Sequence, residues 1–126
     1  MMRVVLVTTA IVICAASAAG ADDDPCRHAQ QTQDFNKCWH EQFQKSETEV
    51  QQKLRRLIER NRKDEPPLAD LLTKAQRAWL TWRKAACKVE TYDSRSGTGF
   101  SVYWDKCLIK MNLARSAELQ EMLDNP

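Results

Sequence analysis

Ala75–Cys87, AQRAWLTWRKAAC, constrains the fold of this chain more than any other segment. Ala75, Trp79, Trp82, Ala86 and Val89 step by three and four, the spacing of residues that share one face of a helix. Gln76, Trp79, Arg83 and Cys87 form an adjacent stripe on the same helix. This spacing predicts that aromatic bulk, Trp79 and Trp82, faces a core, with a guanidinium and a sulfur at its edge. A packing helix with one structural cysteine accounts for the pattern without any ligand.

The N-terminus reads as a processing signal. Arg3 precedes the apolar run Val4–Ala19, and Ala19-Gly20-Ala21 is a small-x-small cleavage site before Asp22. Residues 1–21 therefore have the form of a cleavable secretory signal peptide, with an apolar part too short for a stop-transfer helix. A lipid-anchored protein needs a small residue before its acceptor cysteine. Ile13 stands before Cys14, so no stable membrane anchor is expected after cleavage. Residues 22–126 are then one small domain, periplasmic or secreted. The whole chain carries 19 Lys+Arg against 17 Asp+Glu. Loss of Arg3 moves the remainder closer to neutrality, which argues against a nucleic-acid partner. The basic run Lys53–Lys63 is interrupted by Glu59 and followed by Asp64-Glu65, as on a solvated helix face.

Four cysteines remain: Cys26, Cys38, Cys87 and Cys107. An even number in a small exported domain reads as a disulfide framework. Three connectivities are open. Cys26–Cys38 with Cys87–Cys107 is favoured, because each pair is close in sequence and fits the layout below. Each such loop is worth about 3 kcal/mol in the chain-entropy model. Cys26-x-His28 and Cys38-x-His40 repeat a small zinc-like pattern. There is no Cys-x-x-Cys, however, and residues i and i+2 on a helix point apart. No metal and no cofactor are expected.

The layout is all-α: three helices, the first longest, stapled by two disulfides. Thr32 is a candidate N-cap for the first helix, with Asp34 in its first turn. Phe35, Cys38, Trp39, Phe43, Ser46, Val50, Leu54, Leu57 and Ile58 keep helical spacing. The pattern fades at Asn61, and Pro66-Pro67 ends it. Pro67 can open the second helix, which Leu68, Leu71, Leu72 and the residues above carry to about Tyr92. Asp93–Ser101, DSRSGTGFS, is a loop by composition. Ser101 can cap a third helix through Trp104, Cys107, Leu108, Met111, Arg115, Leu119 and Met122. No strand pattern and no internal repeat occurs.

Taken together, these residues resemble the lysozyme-inhibitor LprI-type domain, a family of small exported bacterial helical domains. The resemblance spans Cys26–Leu119. It is strongest where Gln76, Trp79, Trp82, Arg83 and Cys87 match the family's A-Q-x-A-W-x-x-(Y/W)-R-x-x-x-C. Asn36 before Cys38, and Cys107 with Arg115 and Leu119, match further. Asn112 replaces a family threonine. Glu47-x-x-Val50-Gln51 stands for the family's Asp-x-x-Leu-Asn, and Gly97-Thr98-Gly99 for its Gly-Gly-Ser. The resemblance implies a helical domain that binds lysozyme.

Nothing in the chain suggests catalysis. Its two histidines lie at the N-terminal edge, and no nucleophile–base pair or phosphate-binding glycine loop is present. No enzyme is expected. Glu47, Gln76, Arg83 and Arg115 are candidates for an interhelical polar network, with Glu47 the expected partner of Arg83. An anion site between helices is the alternative use of these arginines. Ser94, Arg95, Ser96 and Thr98 form a donor-rich loop that the Cys87–Cys107 staple would hold rigid. A lysozyme cleft presents two carboxylates, which such donors could meet. The reading is an exported bacterial binding protein that inhibits lysozyme by docking. A cell-envelope interaction module, or an anion or small-molecule binder, competes with it. The oligomeric state is left open.

Overall fold

A computed structural model describes residues 24–125. The signal-peptide segment expected over residues 1–21 lies outside them. Three helices make up the described chain: α1 (Thr32–Asp64), α2 (Pro66–Glu90) and α3 (Phe100–Asp124), with a short 3-10 turn (Tyr92–Ser94) after α2. No described residue is in a strand. The boundaries differ from the sequence reading by a residue or two. Gln31 is the N-cap of α1, so Thr32 is already helical. Pro66 opens α2, where its missing N–H costs nothing. Gly99, not Ser101, precedes α3, and no side chain caps it.

A single residue, Glu65, separates α1 from α2, so the two helices fold back as a tight hairpin. Helix α3 packs chiefly along α1, and α2 leans on both. The core comes in two parts. Val50 and Leu57 of α1, Leu72 of α2 and Leu119 of α3 form one cluster, with Leu54, Ile58 and Leu123 against it. The other holds Cys87, Cys107 and Leu108, flanked by Phe43, Trp104 and Met111. Disulfides join Cys26 to Cys38 and Cys87 to Cys107, as the layout favoured, each with Cα atoms 5.8 Å apart. Both staples sit at the end of the bundle that carries the α2–α3 loop. The opposite end, where α1 meets α2, has none.

The expected inward face of α2 is corrected by the structure. Trp82 is 58% exposed and Val89 79% exposed, while Trp79 is partly buried. The buried positions are instead Ala69, Leu72, Gln76, Arg83 and Cys87. The apolar stripe thus faces outward, and the stripe that includes a glutamine and an arginine faces the other helices. An amphipathic count treats Arg83 as polar, but a guanidinium can be buried where carboxylate and amide oxygens satisfy it.

Candidate functional site

Arg83 is 4% exposed and Asn112 is fully buried. They meet between the two core clusters. Arg83 Nη1 donates to Glu47 Oε2 at 2.6 Å and to Asn112 Oδ1. Asn112 Nδ2 in turn donates to Ser46 Oγ at 2.9 Å and to Glu47 Oε2 at 3.2 Å. Ser46 Oγ donates on to Phe43 O at 2.8 Å. One residue from α2, one from α3 and two from α1 thus close a polar layer across all three helices. The guanidinium of Arg83 lies 5.0 Å from the Trp79 ring and 6.0 Å from Phe43. Its Nε is buried and makes no hydrogen bond, so stacking, rather than a second ion pair, occupies that edge.

The structure brings the other predicted network members next to this layer. Arg115 Nε donates to Gln76 Oε1 at 3.1 Å, and its Nη1 to Glu118 Oε2 at 2.8 Å. Its guanidinium carbon lies 5.8 Å from Trp79. Trp79 is therefore bordered by two arginines, Arg83 of its own helix and Arg115 of α3. Trp82 joins none of these hydrogen bonds. The arrangement fixes side chains rather than presenting a reactive group, since each arginine already pairs with a carboxylate.

Sequence reasoning missed three groups of polar contacts. Lys53 Nζ donates to Ser116 Oγ at 2.8 Å and to Glu49 Oε1 at 2.9 Å, and Ser116 Oγ donates to Glu49 Oε1 at 2.6 Å. The hydrogen bond from Ser116, then the one from Lys53, hold the Glu49 carboxyl below its usual range. Arg60 donates to the last carbonyls of α3, Met122 O at 2.7 Å and Leu123 O at 3.0 Å. Asp105 is buried with His40 Nδ1 3.4 Å from Oδ2. Burial pushes its carboxyl up, and His40 opposes the shift. The available signal was Asp105, Asn112 and Ser116, polar residues at helical spacing among the apolar positions of α3.

The loop after α2 is built as a run of turns. The N–H groups of Ser94, Gly97 and Phe100 donate to the carbonyls of Thr91, Ser94 and Gly97. Neither glycine has a positive φ. Thr91 Oγ1 donates to Cys87 O at 2.7 Å, tying the loop to the disulfide-bonded turn of α2. Arg95 folds back: Nη1 donates to Tyr92 O at 2.7 Å, and its guanidinium carbon stands 3.9 Å from the Tyr92 ring. Ser94 is partly buried, whereas Ser96 and Thr98 are exposed. The donors that reach solvent freely are thus Ser96 and Thr98, on a turn anchored at both ends.

Among the described residues no group of three His, Cys, Asp or Glu could hold a metal ion. The cysteine sulfurs of the zinc-like pattern are spent in disulfide bonds. No described helix is long and apolar enough to cross a membrane.

Fold and site together define a small three-helix domain with two disulfides at one end, a buried Arg–Glu–Asn layer and a tethered surface loop. The lysozyme inhibitor LprI family model matches residues 23–119, and the chain belongs to that family. It is similar over 98% of its length to uncharacterized protein R02472 of Rhizobium meliloti (strain 1021), at 24% identity, and covers 98% of that protein. It is also similar to the crystal structure of a DUF1311 family protein from Pseudomonas putida KT2440. The TM-score is 0.67 and the identity 30%, over 77% of this chain and 95% of that one.

Proposed function

We propose that the mature chain, residues 22–126, is an exported inhibitor that docks on lysozyme and blocks it without chemistry of its own. Membership of the lysozyme inhibitor LprI family carries this reading. Two further features support it. The two disulfides suit an oxidising compartment, as does the apolar leader with Ala19-Gly20-Ala21 at its end. The loop from Asp93 to Ser101 offers hydroxyl donors on turns that are already ordered, so little entropy is lost when they dock. Ser96 and Thr98 would meet the paired carboxylates of the cleft, with Arg95 and Ser94 shaping the turn behind them.

A cell-wall lysis assay with purified mature protein tests the reading. Inhibition is expected for at least one of the chicken-, goose- or invertebrate-type enzymes. Alanine at Ser96 and Thr98 should weaken it while the melting temperature stays nearly unchanged. Absence of inhibition at micromolar protein overturns the proposal.

A further inference from the structure

The end of the bundle away from the disulfides carries a groove of about 670 Å³, within the roughly 300–1,000 Å³ range of ligand clefts. Its apolar lining comes from Leu57, Leu68, Leu72 and Met122. Leu68 and Met122 are 38% and 43% exposed, and Leu71 on the next face is 59% exposed. Leu68 and Met122 leave an apolar strip at the mouth of the groove, over the buried side chains of Leu57 and Leu72.

The ionisable groups that line it are mostly acidic. Glu65, Glu118 and Glu121 line the groove, and Arg60 is its single lining cation. Arg60 is turned to the last carbonyls of α3. Glu118 pairs with Arg115. Among the described residues, no ion pair engages the carboxylates of Glu65 and Glu121. The C-termini of α1 and α3 and the N-terminus of α2 meet here, so the positive end of α2 offsets part of the negative partial charge of the two C-termini, and the carboxylates set the sign. A negative, apolar groove thus sits on a chain whose formal net charge is +2.

We propose that this groove is a docking site for a basic segment of a partner protein that carries an apolar anchor side chain. The lysine or arginine groups of such a segment would meet Glu65 and Glu121, and the anchor would lie over Leu68 and Met122. Charge complementarity favours this occupant over nucleic acid or an anionic membrane, both of which the carboxylates repel. The inference does not depend on the lysozyme reading.

Calorimetric titration of the mature protein with a short amphipathic peptide of lysine and leucine tests it, with a glutamate–leucine peptide as control. The lysine peptide should bind with one-to-one stoichiometry, and amide shifts should be confined to the groove. The double variant Glu65→Gln/Glu121→Gln should bind about tenfold more weakly. Raising the salt to about 1 M, where screening acts within about 3 Å, should do the same. Met122→Ala should weaken binding at unchanged salt dependence. Equal binding of the glutamate peptide, shifts mapping to another face, or unchanged affinity in the double variant would each overturn the proposal. So would sedimentation showing a dimer buried through this groove, which would make a second copy the occupant.

Discussion

The two ends of this bundle are held by different means. At the loop end, one disulfide lies within a small cluster of Cys87, Cys107 and Leu108, and a second joins Cys26 to Cys38. At the other end, Val50, Leu57, Leu72 and Leu119 pack as aliphatic side chains around a one-residue connection, and Arg60 closes the end of α3. The contrast follows from what each end has to hold. The α1–α2 connection is so short that the hairpin closes at little entropic expense, and burial suffices. The loop end must fasten an irregular N-terminal segment and a longer α2–α3 connection. There the disulfides act chiefly by restricting the unfolded chain.

The largest expected effect is at the unstapled end. Leu119 is fully buried, and Leu119→Ala should cost about 2–5 kcal/mol in urea denaturation. A loss below about 1 kcal/mol would show that the aliphatic cluster is not the fastening. Next comes the stapled end. Replacing Cys87 and Cys107 together by alanine should lower stability by about 3 kcal/mol. Hydrogen exchange should then show loss of protection first in the α2–α3 connection, with the α1–α2 hairpin retained. Uniform loss across the molecule would erase the distinction between the ends.

The layer between them should respond less. Asn112→Ala removes the shared partner of Arg83, Glu47 and Ser46 and should cost about 1–3 kcal/mol. A double-mutant cycle with Glu47→Ala should be non-additive, since the two side chains share a hydrogen bond. Strict additivity would mean that the layer does not act as a unit.

The smallest effects are pH-dependent, and they have opposite signs at two carboxylates. Burial raises the Asp105 carboxyl, so the folded state holds that proton more tightly than the unfolded chain. Stability is therefore lost as pH rises from the unfolded value through the raised folded value. Asp105→Asn should flatten that part of the profile. Hydrogen bonds from Ser116 and Lys53 lower the Glu49 carboxyl. Its contribution is present above the usual carboxylate range and fades as pH falls through the lowered folded value. Glu49→Gln should remove it, a change under about 1 kcal/mol at this half-exposed site. Thermal melts across pH check both, and slopes of the same sign would contradict the geometry.

The helices were legible because their signals are local. Periodicity, a Pro-Pro break and a glycine-containing loop each depend on neighbours in sequence. The disulfide pairing followed from the same layout. The face of α2 was not legible. Apolar residues at Trp82 and Val89 outvoted Arg83 in any pattern count, yet the oxygens that satisfy Arg83 come from Glu47 and Asn112 on other helices. Burial of a charged group is decided by partners far away in sequence, which periodicity does not contain. The pair Arg83–Glu47 was nameable from family-matching positions. Asn112, which completes the layer, was read only as a departure from a family threonine. The loop residues were found by composition, but the folding back of Arg95 onto Tyr92 depends on a rotamer that composition does not specify.

The polar layer has a consequence for alignment. Leucines slide past one another with little penalty, so an aliphatic bundle tolerates neighbouring registers. Asn112 does not. A shift of α3 by one turn, about 5.4 Å, would put Leu108 or Ser116 opposite Arg83, removing its Asn112 acceptor and breaking the Asn112 hydrogen bonds to Ser46 and Glu47. The layer therefore works like the notch of a key. It admits one setting of the three helices, and that setting places the α2–α3 loop at a fixed height above the disulfides.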